Sequence, residues 1–115
     1  MNHAAINALV AEQVMGLTTN EDAVWVDGHK HQPMSVWRKG NGLYFVFDPS
    51  RNIAHAMEVF DKWTHASIEK SGGAYEVTIN SWATEYRTDI CIAICLAALR
   101  AVGVPDKEIE EVANG

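Results

Sequence analysis

Hydrophobic positions along the chain fall into different rhythms, and each rhythm specifies an element. Between residues 2 and 15, Ile6, Leu9, Val10 and Val14 recur at helical spacing. That stripe predicts an amphipathic helix, capped by Asn2 and ended by Gly16 in a left-handed C′ position. Short apolar or aromatic runs follow, each bounded by turn residues. Ala23-Val24-Trp25-Val26 stops at Asp27-Gly28, Ser35-Val36-Trp37-Arg38 stops before Gly40-Asn41-Gly42, and Leu43 to Phe47 comes next. Runs of this kind between Asp-Gly and Asn-Gly signals predict antiparallel hairpins.

Asp48-Pro49-Ser50 reads as the start of a second helix, with Asp48 as N-cap and Pro49 in the first helical position. Ile53, Ala56, Met57, Phe60 and Trp63 would form its apolar face, and it should stop before Gly72-Gly73. Tyr75, Val77 and Ile79 then alternate with Glu76, Thr78 and Asn80, a strand with one buried face. Trp82 to Arg87 predicts a last strand.

From Ile90 to Val102 the pattern loses its polar side, and Arg100 is the single charge. A helix apolar all round must be covered on several sides, by a sheet, by the other helices or by a second subunit. Gly103 and Pro105 end it, and a short acidic helix over residues 106–113 closes the chain. These elements predict an α+β fold over residues 1–115. It is a three-layer α-β-α sandwich with a small, mainly antiparallel sheet and three main helices. The greasy third helix adds an expectation of self-association.

A chain of 115 residues buries roughly two thirds of its unfolded surface as one domain. Its formal charge of -6, from 9 Lys+Arg against 15 Asp+Glu, argues against a duplex nucleic-acid partner, which needs a basic face to displace counterions. No run reaches the length of a membrane span, and Met1 to Ala5 lacks the charged and apolar regions of a leader, so a cytoplasmic setting is expected. Cys91 and Cys95 lie four apart inside the apolar helix, where disulfide geometry is poor and burial suppresses the thiolate.

Chemical motifs are sparse. No Gly-x-Ser-x-Gly elbow, phosphate loop or dinucleotide turn occurs. His29 and His31 could share a strand face, but zinc needs three or four ligands and nothing ties others to that place. No catalytic residue, metal or cofactor is therefore assigned. The candidate binding residues are Trp82, Thr84, Tyr86, Arg87 and Thr88, which approach the start of the third helix, with Trp37 and Arg38 as a second basic-aromatic patch. Helix starts attract anions, Arg forks phosphate, and aromatic faces stack on bases. Asp89 opposes this reading, because as an N-cap it would fill the helix start with its own carboxylate.

Three stretches resemble a family of small bacteriophage and prophage proteins, the phage ABA (α-β-α) sandwich domain. They are Leu9 to Gly16, then Asp48-Pro49-Ser50 with Ile53, Ala56 and Val59, then Ala93 to Gly103. Leu17 stands where the family often has Trp, Asp89-Ile90-Cys91 replaces a common Thr-Ala-Pro, and the acidic tail is extra. The resemblance implies a layered fold and a phage origin, and brings no activity. The expected function is a non-catalytic accessory protein that binds, sequestering a small nucleotide immune signal or masking a host protein. The alternative is an interaction domain without a small-molecule ligand, self-associating through its apolar C-terminal helix.

Overall fold

The computed structural model describes residues 1–19, 24–26, 28–31 and 36–114. Helix α1 (His3–Leu9) continues as a π-helical turn, Val10–Val14, and is followed by β1 (Thr18–Thr19), β2 (Val24–Val26), β3 (His29–His31), β4 (Val36–Arg38) and β5 (Phe45–Val46). Then come α2 (Ile53–Phe60), β6 (Ala66–Ser71), β7 (Ala74–Ile79), β8 (Ala83–Arg87), α3 (Ile90–Ala101) and α4 (Asp106–Asn114). The described strands pair antiparallel throughout, as β1-β4-β5, β2-β3 and β6-β7-β8. The small sheet expected from sequence is thus divided into two three-stranded sheets and a hairpin.

Helix α3 is the centre of the molecule. Asp89 caps it by accepting the N–H groups of Cys91 at 2.9 Å and Ile92 at 3.2 Å. Every residue from Cys91 to Leu99 is buried. Strands β7 and β8 cover one side, while α1, the π turn, α2 and α4 cover the rest. The small side chains Ala93, Ala97 and Ala98 are fully buried, and at such positions a neighbouring element can approach the helix closely. The chain thus supplies by itself the cover that the sequence left open to a second subunit from Cys91 to Leu99.

The first helix departs from α geometry where its stripe would drift off the core. Met15 N–H donates to the Val10 carbonyl at 3.1 Å, the wider π spacing, and Ile6, Val10, Ala11, Val14 and Leu17 all remain buried. Gly16 takes the left-handed φ of +66° expected of it. Leu17 N–H closes on the Ala11 carbonyl at 2.8 Å, and Lys62 Nζ donates to the Val14 carbonyl at 2.9 Å. These bonds satisfy groups that a helix end leaves open.

The start of α2 is also displaced from its expected position. Asn52 caps it, accepting from Ala54 N–H and His55 N–H. Asp48 is used elsewhere, because its carboxylate accepts from Asn7 Nδ2 at 2.6 Å and from Ser50 Oγ at 3.5 Å. Its carbonyl closes a turn by accepting from the N–H groups of Arg51 and Asn52. Asp48-Pro49-Ser50 is therefore a polar lock between α1 and the α2 approach. Helix α2 then ends at Phe60, short of the expected limit, and the chain folds into β6 before Gly72-Gly73 turns it into β7.

Between β7 and β8, Asn80 and Ser81 both have positive φ, 56° and 66°, as in a type I′ turn. Asn tolerates that region, but a serine there carries strain. Replacing Ser81 with Gly is expected to raise the unfolding free energy by about 1 kcal/mol. A urea midpoint no higher than that of the parent protein would show that the turn is unstrained.

Candidate functional site

The period-two geometry of β8 divides the residues singled out from sequence. Ala83 and Glu85 face inward and are buried, whereas Thr84 and Tyr86 face outward and are exposed. Strand register extends the outer face into two rows, Ser67–Thr78–Thr84 and Glu69–Glu76–Tyr86. The Thr78 and Thr84 hydroxyls are 3.1 Å apart, and Tyr86 OH donates to the Ser71 carbonyl at 2.7 Å. At the end of this face Thr64, His65, Ala66, Ser67, Thr78 and Ser81 line an open hollow of about 340 Å³. Trp82, next to Ser81 in the chain, is 62% exposed and Tyr86 53%. The hollow has hydroxyls and one imidazole but no formal charge, and the two glutamates give the neighbouring row an acidic character.

The other residues do not join this surface. Arg87 Nε donates to Glu85 Oε2 at 3.1 Å. Glu85 Oε1 receives Arg100 Nε at 2.7 Å, and Arg100 also pairs with Asp106 at the start of α4. The hydrogen bond that Arg100 donates to Glu85, foremost, raises the Arg100 pKa above its ordinary value. Arg87 is thus held by the chain's own carboxylate, and the α3 start is filled by Asp89, as the sequence had warned. Thr88 is exposed beside that cap. Trp37 lies in the core at 1% exposure, unable to stack on a ligand, while Arg38 sits over the Tyr44 ring at 4.8 Å. The two patches expected from sequence therefore belong to different sheets.

Nucleophile and base geometry is also recorded. Ser50 Oγ lies 2.9 Å from His3 Nδ1, but Ser50 is fully buried, and the nearby carboxylate of Asp48 contacts Ser50 rather than the imidazole. A triad needs the carboxylate on the histidine and the hydroxyl in reach of substrate. Cys91 and Cys95 are free thiols with pKa values raised chiefly by burial, with further contributions from nearby carboxylates. Among the described residues no group of three His, Cys, Asp or Glu side chains is placed to hold a metal. The side chains of His29 and His31, the pair weighed for zinc, lie outside the described residues.

A central apolar helix under an antiparallel sheet, with a polar lock at Asp48-Pro49-Ser50, defines a class of layered α+β domain. The model of the phage ABA sandwich domain family matches residues 8–99, and the chain belongs to that family. Its fold is similar to that in the 2.0 Å crystal structure of a phage protein from Bacillus cereus ATCC 14579. The TM-score is 0.54 at 22% identity, covering 86% of this chain and 90% of that one. Among curated proteins, none matches this sequence. No helix among the described residues is long and apolar enough to cross a membrane.

Proposed function

We propose that this phage-family protein is non-catalytic and acts by binding, masking a host protein with the outer face of β6-β7-β8. One observation carries the reading: Tyr86 on β8 and Trp82 in the turn leading into it are both exposed, on a sheet whose opposite face packs on α3. Exposed aromatics on a rigid element are the groups that supply most of an interface's energy. Glu69 and Glu76 beside Tyr86, in a chain of net charge -6, fit a host surface that carries lysine or arginine. Sequestration of a nucleotide draws less support, since Arg87 is already paired with Glu85 and Asp89 occupies the α3 start. Self-association through α3 has no place in this reading, because that helix is covered.

Affinity capture from host extract with three forms of the protein tests it. The parent form and Leu43→Ala, altered at a residue 92% exposed in the loop before β5, should retain one host protein in stoichiometric amount. The Trp82→Ala/Tyr86→Ala form should lose it, with affinity falling at least about tenfold. Capture that ignores the double substitution would reject the face. Calorimetry against cyclic and linear nucleotides completes the test. Micromolar nucleotide binding abolished by the same pair would replace the host protein with a nucleotide.

A further inference from the structure

Arginines in this chain meet different fates. Arg87 and Arg100 are committed to Glu85 and Asp106. Arg38 makes no ion pair among the described residues, and its Nε is shut off from solvent without a hydrogen-bond partner among them. An unmade buried donor costs about 1–3 kcal/mol, so native structures rarely keep one without a use.

Strand register explains where this guanidinium is held. Thr18 pairs with Arg38 across β1-β4, and Trp37 pairs with Phe45 across β4-β5, which sets Arg38 opposite Tyr44. The guanidinium carbon lies 4.8 Å from the centre of the Tyr44 ring. Stacking of this kind fixes the plane of the fork while leaving its edge N–H groups available, and a fixed fork matches a carboxylate or phosphate. Thr18 stands in the same row, its Oγ1 donating to the Arg38 carbonyl across a long 3.5 Å, a bond that an anion alongside would compete for. Lys39 follows as an exposed second cation, its carbonyl accepting from Gly42 N–H at 3.0 Å in the turn that includes Gly40 at φ +58°. Arg38 and Thr18 thus share one row of the sheet, and Lys39 adds an exposed positive charge at the same strand end of an acidic protein.

We propose that Arg38, stacked on Tyr44 and flanked by Thr18 and Lys39, forms a site for the oxyanion of a small ligand, either a phosphate monoester or a carboxylate. Arg38 supplies the bidentate donor, Lys39 the second charge and Thr18 a hydroxyl. Because Trp37 is turned into the core, the anion itself is what the site recognises. This site lies on a different sheet from the protein-docking face and stands or falls independently of it.

The test follows the Arg38 Nε–H resonance of the full chain in chloride buffer during titration with sodium phosphate, sodium acetate, adenosine monophosphate and adenosine. Phosphate should shift that resonance saturably at millimolar concentration, beyond any shift from sodium chloride of equal ionic strength. Arg38→Lys should weaken binding by about tenfold, because a point charge replaces the fork. Tyr44→Leu, which leaves the arginine in place, should also weaken it, and so covers the case in which the Arg38 variant fails to fold. A response to phosphate and the monophosphate alone assigns a phosphate ligand, and an equal response to acetate assigns a carboxylate. Adenosine should be silent. A shift reproduced by sodium chloride, or anion binding unchanged in both variants, would overturn the site.

Discussion

Truncating Leu96 to alanine is expected to cost about 3 kcal/mol of stability, a large share of what a domain of this size possesses. Leu96 is fully buried at the middle of α3, between the β7-β8 layer and the helices behind it. Loss of its terminal carbons removes apolar burial and leaves a cavity that fixed neighbours on opposite sides close only in part. Thr84→Ala, one layer away on the wet face, should change stability by less than about 0.5 kcal/mol. Urea denaturation of the two variants checks both values. A Leu96→Ala protein as stable as the parent would mean that α3 is not enclosed by its own chain. The helix would then have to be a surface shared between molecules, and the dependence of stability on protein concentration would reveal it.

Glu85→Ala is expected to cost a similar amount, about 3 kcal/mol, for an electrostatic reason. Glu85 is only 6% exposed, yet it receives Arg87 at 3.1 Å and Arg100 at 2.7 Å. Removing it leaves Arg87 with no counter-charge and Arg100 with only Asp106, which is itself exposed. The arginines keep 35% and 26% of their own exposure, so water relieves part of the penalty, which places the estimate at the low end of the range for broken buried pairs. Because Arg100 also reaches Asp106, the loss should loosen α4 from α3. Hydrogen exchange along α4 would show this as faster exchange, while the β7 amides keep their protection relative to global unfolding. Replacing Glu85 and Arg100 together by methionine should recover part of the loss, since buried charges are then absent rather than orphaned. A Glu85→Ala cost below about 1 kcal/mol would place the network among ordinary surface pairs.

Local sequence carried the parts of this fold that local physics decides. Asp89 as the α3 cap, Gly16 and Gly103 at positive φ, and the alternation of β7 all follow from neighbours within a few residues. The α2 start did not follow. Asp48 has every local credential of an N-cap, but Asn7, distant in sequence, takes its carboxylate, and Asn52 does the capping. Strand β6 was hidden because Ala66, Ser67, Glu69 and Lys70 lack the aromatic and β-branched character that marks an edge strand; its pairing with β7 decides its state.

The candidate site was legible in pieces. Trp82, Thr84 and Tyr86 were singled out for their aromatic and hydroxyl chemistry near the start of α3, and the pleat of β8 turns Thr84 and Tyr86 outward. Arg87 was misjudged because the carboxylate that holds it, Glu85, sits two residues away on the same strand face and looks like solvent-exposed charge until Arg100 completes the pair. Tyr44 was overlooked beside Arg38, and the cross-strand register that joins them depends on a hairpin whose length was unknown. Trp37 was assigned to a ligand for its chemistry, whereas the packing uses its volume.

The pleat of β8 has one further consequence, for divergence. Odd-numbered positions bear on the foundation of the molecule, and even-numbered ones lie on the exterior, tied only to neighbouring strands of the same sheet. A lineage can therefore rewrite Thr84 and Tyr86 repeatedly without disturbing the masonry beneath. Two descendants of one ancestor can keep the same interior and share almost nothing of this outer face.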